Sequence, residues 1–211
     1  MKVKKMQINK EVECEVIKKK MTNCQEKWFS HFNAKGEKMV STVDMLNIES
    51  KEKKLIESIR EDFENDYVMS STQVDYVNNT VTHDANSTVV KHTVIKLKEI
   101  PVCDPTYIKD LVASKPGLEY LRALCNDMKL SAEQIIKKFE DLSGKSAEEI
   151  RFWTLNADER KRQPIGAVEL FFYYGRFYCN AWRHPDDGFD CYVSRGVRQS
   201  VPIAKQQEAL P

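Results

Sequence analysis

The stretch that most restricts the fold runs from Leu170 to Arg198 and reads LFFYYGRFYCNAWRHPDDGFDCYVSRGVR. Its aromatic and apolar runs break at Gly175 and again at the HPDDG turn signal, which predicts strands over 166–174, 176–183 and 191–199. The segment holds no Lys, Glu, Gln or Met, although these four types fill about a third of the other positions. A buried hairpin excludes Lys, Glu and Gln because burial of charge and amide is costly. Burial does not favour Arg176, Arg183, His184, Asp186, Asp187 and Asp190, which lie in the same segment. Every residue in it except Trp182 can be encoded by a codon ending in a pyrimidine. That is the set produced when the adenines of AAC or AAT codons are randomised, so two readings stand: a plain buried hairpin, and a surface of varied side chains.

Elsewhere the pattern mixes both periods. Val3, Ile8, Val12, Cys14 and Val16 alternate with Lys and Glu, predicting one or two strands with a wet face over 2–20. Leu55, Ile56, Ile59 and Phe63 form one apolar stripe, predicting a helix between Ser50 and Tyr67 with Ser50 as its N-cap. Residues 72–83 and 87–100 are rich in Val, Thr and Ile and are expected to form a hairpin around 84–86. Asp104 and Pro105 are read as the start of a short helix to Ala113. Leu118, Leu121, Leu124, Cys125 and Met128 mark the apolar face of the next helix. Ser131 with Gln134 is a capping box for a further helix that Gly144 can close, and Ser146 with Glu149 repeats the box. ADERKRQP is read as a polar loop, and the tail beyond Pro202 as frayed.

The length suits one ordinary domain with an appendage, or two small ones. A formal net charge of +1 gives no global field toward nucleic acid or an anionic membrane. The basic N-terminus is interrupted by charges, lacks the apolar core of a signal peptide, and is followed by no run that could span a bilayer. Synthesis in the cytoplasm is the expectation, with association with a virion left open. Cys14, Cys24, Cys103, Cys125, Cys179 and Cys191 are scattered without a CxxC pair, so free thiols are expected and a zinc ribbon is not.

The C-terminal part resembles the C-type lectin-like fold. The likeness is carried by FWTLNADERK at 152–161, GAVEL at 166–170, GRFYCNAWRHPDD at 175–187 and SRGVR at 194–198. More narrowly it is similar to the variable proteins of diversity-generating retroelements, in the branch related to formylglycine-generating enzymes. The resemblance covers the last third closely and 87–150 only by order of elements. It implies an α+β chain: a lectin-like ligand-binding domain over 86–205, with two helices packed on a small antiparallel sheet, after an N-terminal α/β region over 1–85 of unknown role. In such a domain the final strand closes the fold against the strand near the domain's start. Ser194, Arg195, Gly196, Val197 and Arg198 would then be fixed scaffold, with Trp153, Leu170 and Trp182 as core anchors.

The side chains displayed would be drawn from Tyr174, Arg176, Tyr178, Asn180, Arg183, His184, Asp186, Asp187, Phe189, Asp190 and Tyr192, of which strand alternation sends about half outward. A protein or cell-surface ligand is the expected partner, homo-oligomerisation is open, and neither a nucleic acid nor a membrane is expected. No cofactor or metal is expected, since HPDD reads as a turn with solvated carboxylates, and the calcium-binding Glu-Pro-Asn tripeptide of many lectins is missing. No GxSxG, HExxH or P-loop pattern occurs and the four histidines are far apart in sequence, so catalysis is not inferred. The alternatives are a phage or mobile-element inhibitor, or a DNA-binding regulator using 120–153 as a helix-turn-helix, whose spacing is longer than that motif requires.

Overall fold

A computed structural model describes residues 4–9, 12–20, 24–84, 93–187 and 192–199, with side chains described over 24–84, 93–187 and 193–197. The chain begins with a hairpin of β1 (Lys4–Asn9) and β2 (Val12–Lys20), then α1 (Gln25–Asn33), β3 (Lys38–Met39), α2 (Thr42–Leu46) and α3 (Lys53–Asn65). Strands β4 (Tyr67–Asp75), β5 (Thr80–His83), β6 (Thr93–Lys96) and β7 (Thr106–Tyr107) follow. Next come α4 (Ile108–Ala113), α5 (Lys115–Leu124), α6 (Ala132–Ser143), β8 (Ile150–Trp153) and α7 (Ala157–Arg162), and the chain closes with β9 (Ile165–Tyr173), β10 (Arg176–Arg183) and β11 (Tyr192–Gln199).

Among the described residues all eleven strands join one mixed sheet, in the order β1-β2-β11-β4-β9-β10-β8-β7, with β3 on β11 and β5 bridging β4 to β6. Strand β4 therefore lies between β9 and β11. The boundary expected at 85/86 falls inside this shared sheet, and a single core joins Leu55, Ile59, Phe63 and Val68 to Phe139, Phe152, Leu170 and Val197. The final strand pairs antiparallel with β2, placing Val197 opposite Val16, and parallel with β4 at Tyr192–Val193.

The local rules explain most elements. Ser131 and Gln134 cap α6 reciprocally, and Gly144 ends it at φ 72°. The β9–β10 hairpin turns through Tyr174 (φ 47°) and Gly175 (φ 75°), the pair of positive φ values that suits the twist of a two-residue hairpin loop. Helix α3 is capped at Glu52 without a side-chain bond, so Ser50 is not its cap. Residues 72–83 do not form one strand. The Asp75 carboxylate accepts from the N–H groups of Val77 and Asn78, turning the chain so that β5 folds back on β4. The hairpin of β5 is made with β6, and the turn residues Ala85 and Asn86 lie outside the described residues. Asp104 and Pro105 precede β7, and α4 starts only after Tyr107.

Ser146 and Glu149 form a turn that opens β8 instead of a third helix, because Phe177 N–H bonds Glu149 O and draws the chain alongside β10. The segment 157–162 is a helix where a loop was expected: the Asn156 side chain accepts from the N–H groups of Asp158 and Glu159, and Glu159 bonds back to Asn156 N–H.

Alternation sorts the sheet into two faces. Val168, Leu170, Phe177, Cys179, Ile150 and Phe152 point into the core shared with α3, α5 and α6. On the other face α1 packs Trp28, Phe29 and Phe32 over Met39, Met69 and Ala167. Helix α1 covers only one end of this second face, and the remainder carries Trp153, Phe171, Tyr173, Tyr178 and Trp182.

Candidate ligand-binding site

Strand β9 presents Glu169, Phe171 and Tyr173 to the second face, and β10 presents Tyr178 and Asn180. With Tyr67 from β4, Pro105, Trp153 from β8, and Trp182 and Arg183 at the end of β10, they line a concave pocket of about 250 Å³.

Two irregularities shape the pocket. On β10, Asn180 pairs with Glu169 but Arg183 pairs with Ala167, so one extra residue bulges opposite β9. On β4, Met69 pairs with Glu169 and Gln73 with Ala167, so the register slips there as well. Side chains take over the interrupted ladder: Gln25 Nε2 donates to the carbonyls of Ser70 (2.6 Å) and Thr72 (3.0 Å), and Ser70 Oγ donates to Val168 O (3.0 Å). Gly166 permits the β10 bulge, since a β-carbon there would lie 1.9 Å from Ala181 O.

Glu169 is 1% exposed. Its Oε1 accepts from Trp182 Nε1 (3.0 Å) and, at 3.5 Å, from Asn180 Nδ2. Asn180 is 2% exposed and its Oδ1 has no hydrogen-bond partner, an acceptor unused at the pocket wall. Trp153 and Trp182 stack with centroids 5.3 Å apart and planes 11° from parallel. The Arg183 guanidinium carbon lies 4.1 Å from the centre of the Trp182 ring. Phe171 stacks on Tyr178 at 5.4 Å and touches Tyr67 at 4.4 Å, so the pocket wall is a continuous aromatic surface.

The displayed set divides. Tyr174 is 85% exposed at the hairpin tip, and Arg176, Asp186 and Asp187 are exposed. Tyr178 and Asn180 are buried at the pocket wall instead of standing free, because their strand position faces the concave centre of the sheet. Arg183 and His184 are half-buried. Phe189 and Asp190, the side chains of Tyr192 and Arg198, and the tail beyond Pro202 lie outside the described residues. Of the expected anchors Leu170 is fully buried, whereas Trp153 and Trp182 are half-buried pocket walls.

The HPDD segment is a turn: Asp187 N–H bonds His184 O (3.0 Å), and the Asp187 carboxylate accepts from His184 N–H (3.3 Å). A hydrogen bond with Asp186, then burial, raises the pKa of Glu26 on α1 above its ordinary value. Among the described residues no group of three or more His, Cys, Asp or Glu is arranged to hold a metal. Cys24, Cys103, Cys125 and Cys179 are buried and unbridged, and burial pushes the Cys125 thiol up to about 12, which keeps it protonated and unreactive. Among the described residues no helix is long and apolar enough to cross a membrane.

Tyr67, Pro105, Glu169, Phe171 and Tyr173 were absent from the expected site. Parity within β9 could have grouped three of them, since Glu169, Phe171 and Tyr173 share a face, and Glu169 is the single charge in the run GAVELFFYY. Tyr67, on β4, and Pro105, just before β7, come from segments distant in sequence and leave no local signal. No protein-family model, curated protein or solved structure matches the chain.

Proposed function

We propose that this is a non-enzymatic ligand-binding protein that displays a diversified surface on a C-type lectin-like scaffold, with the pocket between β8, β9 and β10 as the centre of its binding face. The observation that carries the reading is the pocket itself: six of its ten lining residues lie within the compositionally distinct segment, from Phe171 to Arg183. Large aromatic side chains with polar tips on a rigid sheet are effective contact residues, and the exposed Tyr174, Arg176, Asp186 and Asp187 border that centre. The last strand pairs with β2, β3 and β4, all before residue 86, and among the described residues not with β6 near the expected start of the domain, so the support for the scaffold is the docking of α5 and α6 on a sheet that holds the last strand inside it. Contacts on the opposite face hold the backbone, so the open face can change its side chains without losing the fold. A protein or cell-surface ligand is the partner proposed.

The helix-turn-helix alternative has less behind it. Helix α6 turns Glu133, Lys137 and Asp141 outward and Lys137 is already paired with Asp141, so the helix offers little charge to phosphates.

The test is to sequence the DNA flanking the gene for a near-copy of codons 170–198. A repeat that differs almost only at adenines, with changes at Tyr174, Arg176, Tyr178, Asn180, Arg183, His184, Asp186 and Asp187 and constancy at Leu170, Cys179, Ala181 and Val197, is the expected result. The absence of any repeat, or changes spread equally over the buried positions, would remove the diversification from this reading.

A further inference from the structure

We infer that the pocket receives an organic cation: an ammonium group carried on an apolar stem and presented by the ligand. The inference rests on the ligand-binding reading of this site and adds the chemistry that the site selects.

Six of the ten lining residues are aromatic, from four different strands: Tyr67, Trp153, Phe171, Tyr173, Tyr178 and Trp182. The face of an aromatic ring is the negative pole of its quadrupole, so a pocket walled by rings attracts a cation wherever a face is left open to it, and most strongly a weakly hydrated one. The single carboxyl group in the lining is Glu169, buried at the pocket wall, and in its ionised form its charge would act in a medium that screens poorly. Asn180 adds an acceptor without a donor. Arg183 is the one cationic residue among the lining residues and lies against its neighbour Trp182, a cation–π contact on the same wall. It is half-buried and so better screened than Glu169. The same pairing recurs beside the pocket, where the Arg151 guanidinium lies 4.4 Å from the centre of the Tyr107 ring.

Size narrows the occupant. A volume of about 250 Å³ is below the roughly 300 Å³ at which pockets for drug-sized ligands begin, so the pocket suits one head group or one side-chain end. The rest of the ligand would lie across Tyr174 and the surrounding exposed residues.

The experiment titrates the full chain with choline and, separately, with 3,3-dimethyl-1-butanol, its uncharged isostere, following tryptophan fluorescence and ligand NMR line widths. Choline is expected to bind saturably, with an affinity about tenfold above that of the isostere. Glu169→Gln should erase that difference. Trp153→Leu, which keeps an apolar wall but removes a ring face, should reduce it in case the Glu169 variant does not fold. Arg183→Gln should strengthen choline binding by removing a competing charge, whereas a site that reads an anion through Arg183 would change in the opposite direction. Equal binding of choline and its isostere would overturn the cation inference and leave the pocket as an apolar ligand site. Binding of neither would also overturn it, and the flanking-DNA result would then decide the broader reading independently.

Discussion

Arg195 on the last strand grips Asp62 on α3, donating from Nε at 2.8 Å and again from Nη2, with Nη2 also bonded to Ser58 O at 2.8 Å. Both side chains are buried, 3% and 0% exposed, so the pair ties the end of the chain to a helix formed 133 residues earlier. Removing either partner takes the opposite charge away from a buried ionic group. Arg195→Ala or Asp62→Ala is expected to cost about 3–5 kcal/mol in urea unfolding, whereas the double variant Arg195→Ala with Asp62→Ala should cost much less than the sum. Additive losses in that cycle would show that the two residues act separately.

Gly196 sits directly under Phe32. A β-carbon there would lie 2.3 Å from the ring, and the ring cannot retreat because it stacks on Trp28 at 5.6 Å. Gly196→Ala should therefore lower stability by about 1–3 kcal/mol through overpacking. Combining it with Phe32→Leu should cost less than the two changes added. A Gly196→Ala protein with an unchanged melting temperature would mean that α1 is not held against β11 as described.

His83 supplies a pH dependence of defined sign. Its Nδ1 is bonded to Thr72 Oγ1 (2.9 Å) and its Nε2 donates to Ala123 O (2.9 Å), and burial favours the neutral ring, in which Nδ1 accepts from Thr72. Burial, outweighing the Ala123 bond and the nearby Asp44, holds its pKa below the ordinary 6.5. The unfolded chain takes up a proton below that value while the folded chain resists it. Stability from this group is thus complete above pH 6.5 and declines as pH falls toward the lower folded pKa, by at most about 1.4 kcal/mol per pH unit. His83→Asn should be less stable at neutral pH but should show a shallower decline on acidification, since Lys38, Asp44 and Asp84 remain in both proteins. Parallel melting curves from pH 7.5 to roughly 5 would refute the assignment to His83.

The parts legible in the sequence were those that neighbouring residues decide. The Ser131–Gln134 box, the apolar stripe of α3 and the strands on either side of Tyr174–Gly175 need only local chemistry, and each formed within a few residues of its expected place. The same capping rule at Asn156 and Glu159 went unread because the segment ADERKR has no apolar stripe to mark a helix, and none of its residues is buried. The pocket was half legible. Tyr178, Asn180 and Arg183 were named from composition, but their inward placement depends on β4 and β8 flanking the hairpin, a long-range arrangement without a local signature. Trp153 and Trp182 were expected as core anchors because the lectin-like resemblance assigns them to the fixed scaffold. They face each other across the β8–β10 pair instead, where their position in the strand puts them on the open side of the sheet.

Tyr174 is an unfavourable choice for its backbone. It occupies φ 47° at the first position of a tight hairpin loop, where Asn or Gly is the usual residue and an ordinary side chain is strained by about 1 kcal/mol. At 85% exposure its ring recovers little by burial, although it touches the Tyr173 ring at 4.3 Å. Tyr174→Asn is therefore expected to raise the melting temperature while weakening ligand capture at the hairpin tip, the combination that marks a residue kept for contact at the expense of stability. A stability loss in the variant would place Tyr174 in the scaffold. A gain in stability with ligand capture unchanged would remove it from the binding face, which would then be confined to the pocket behind it.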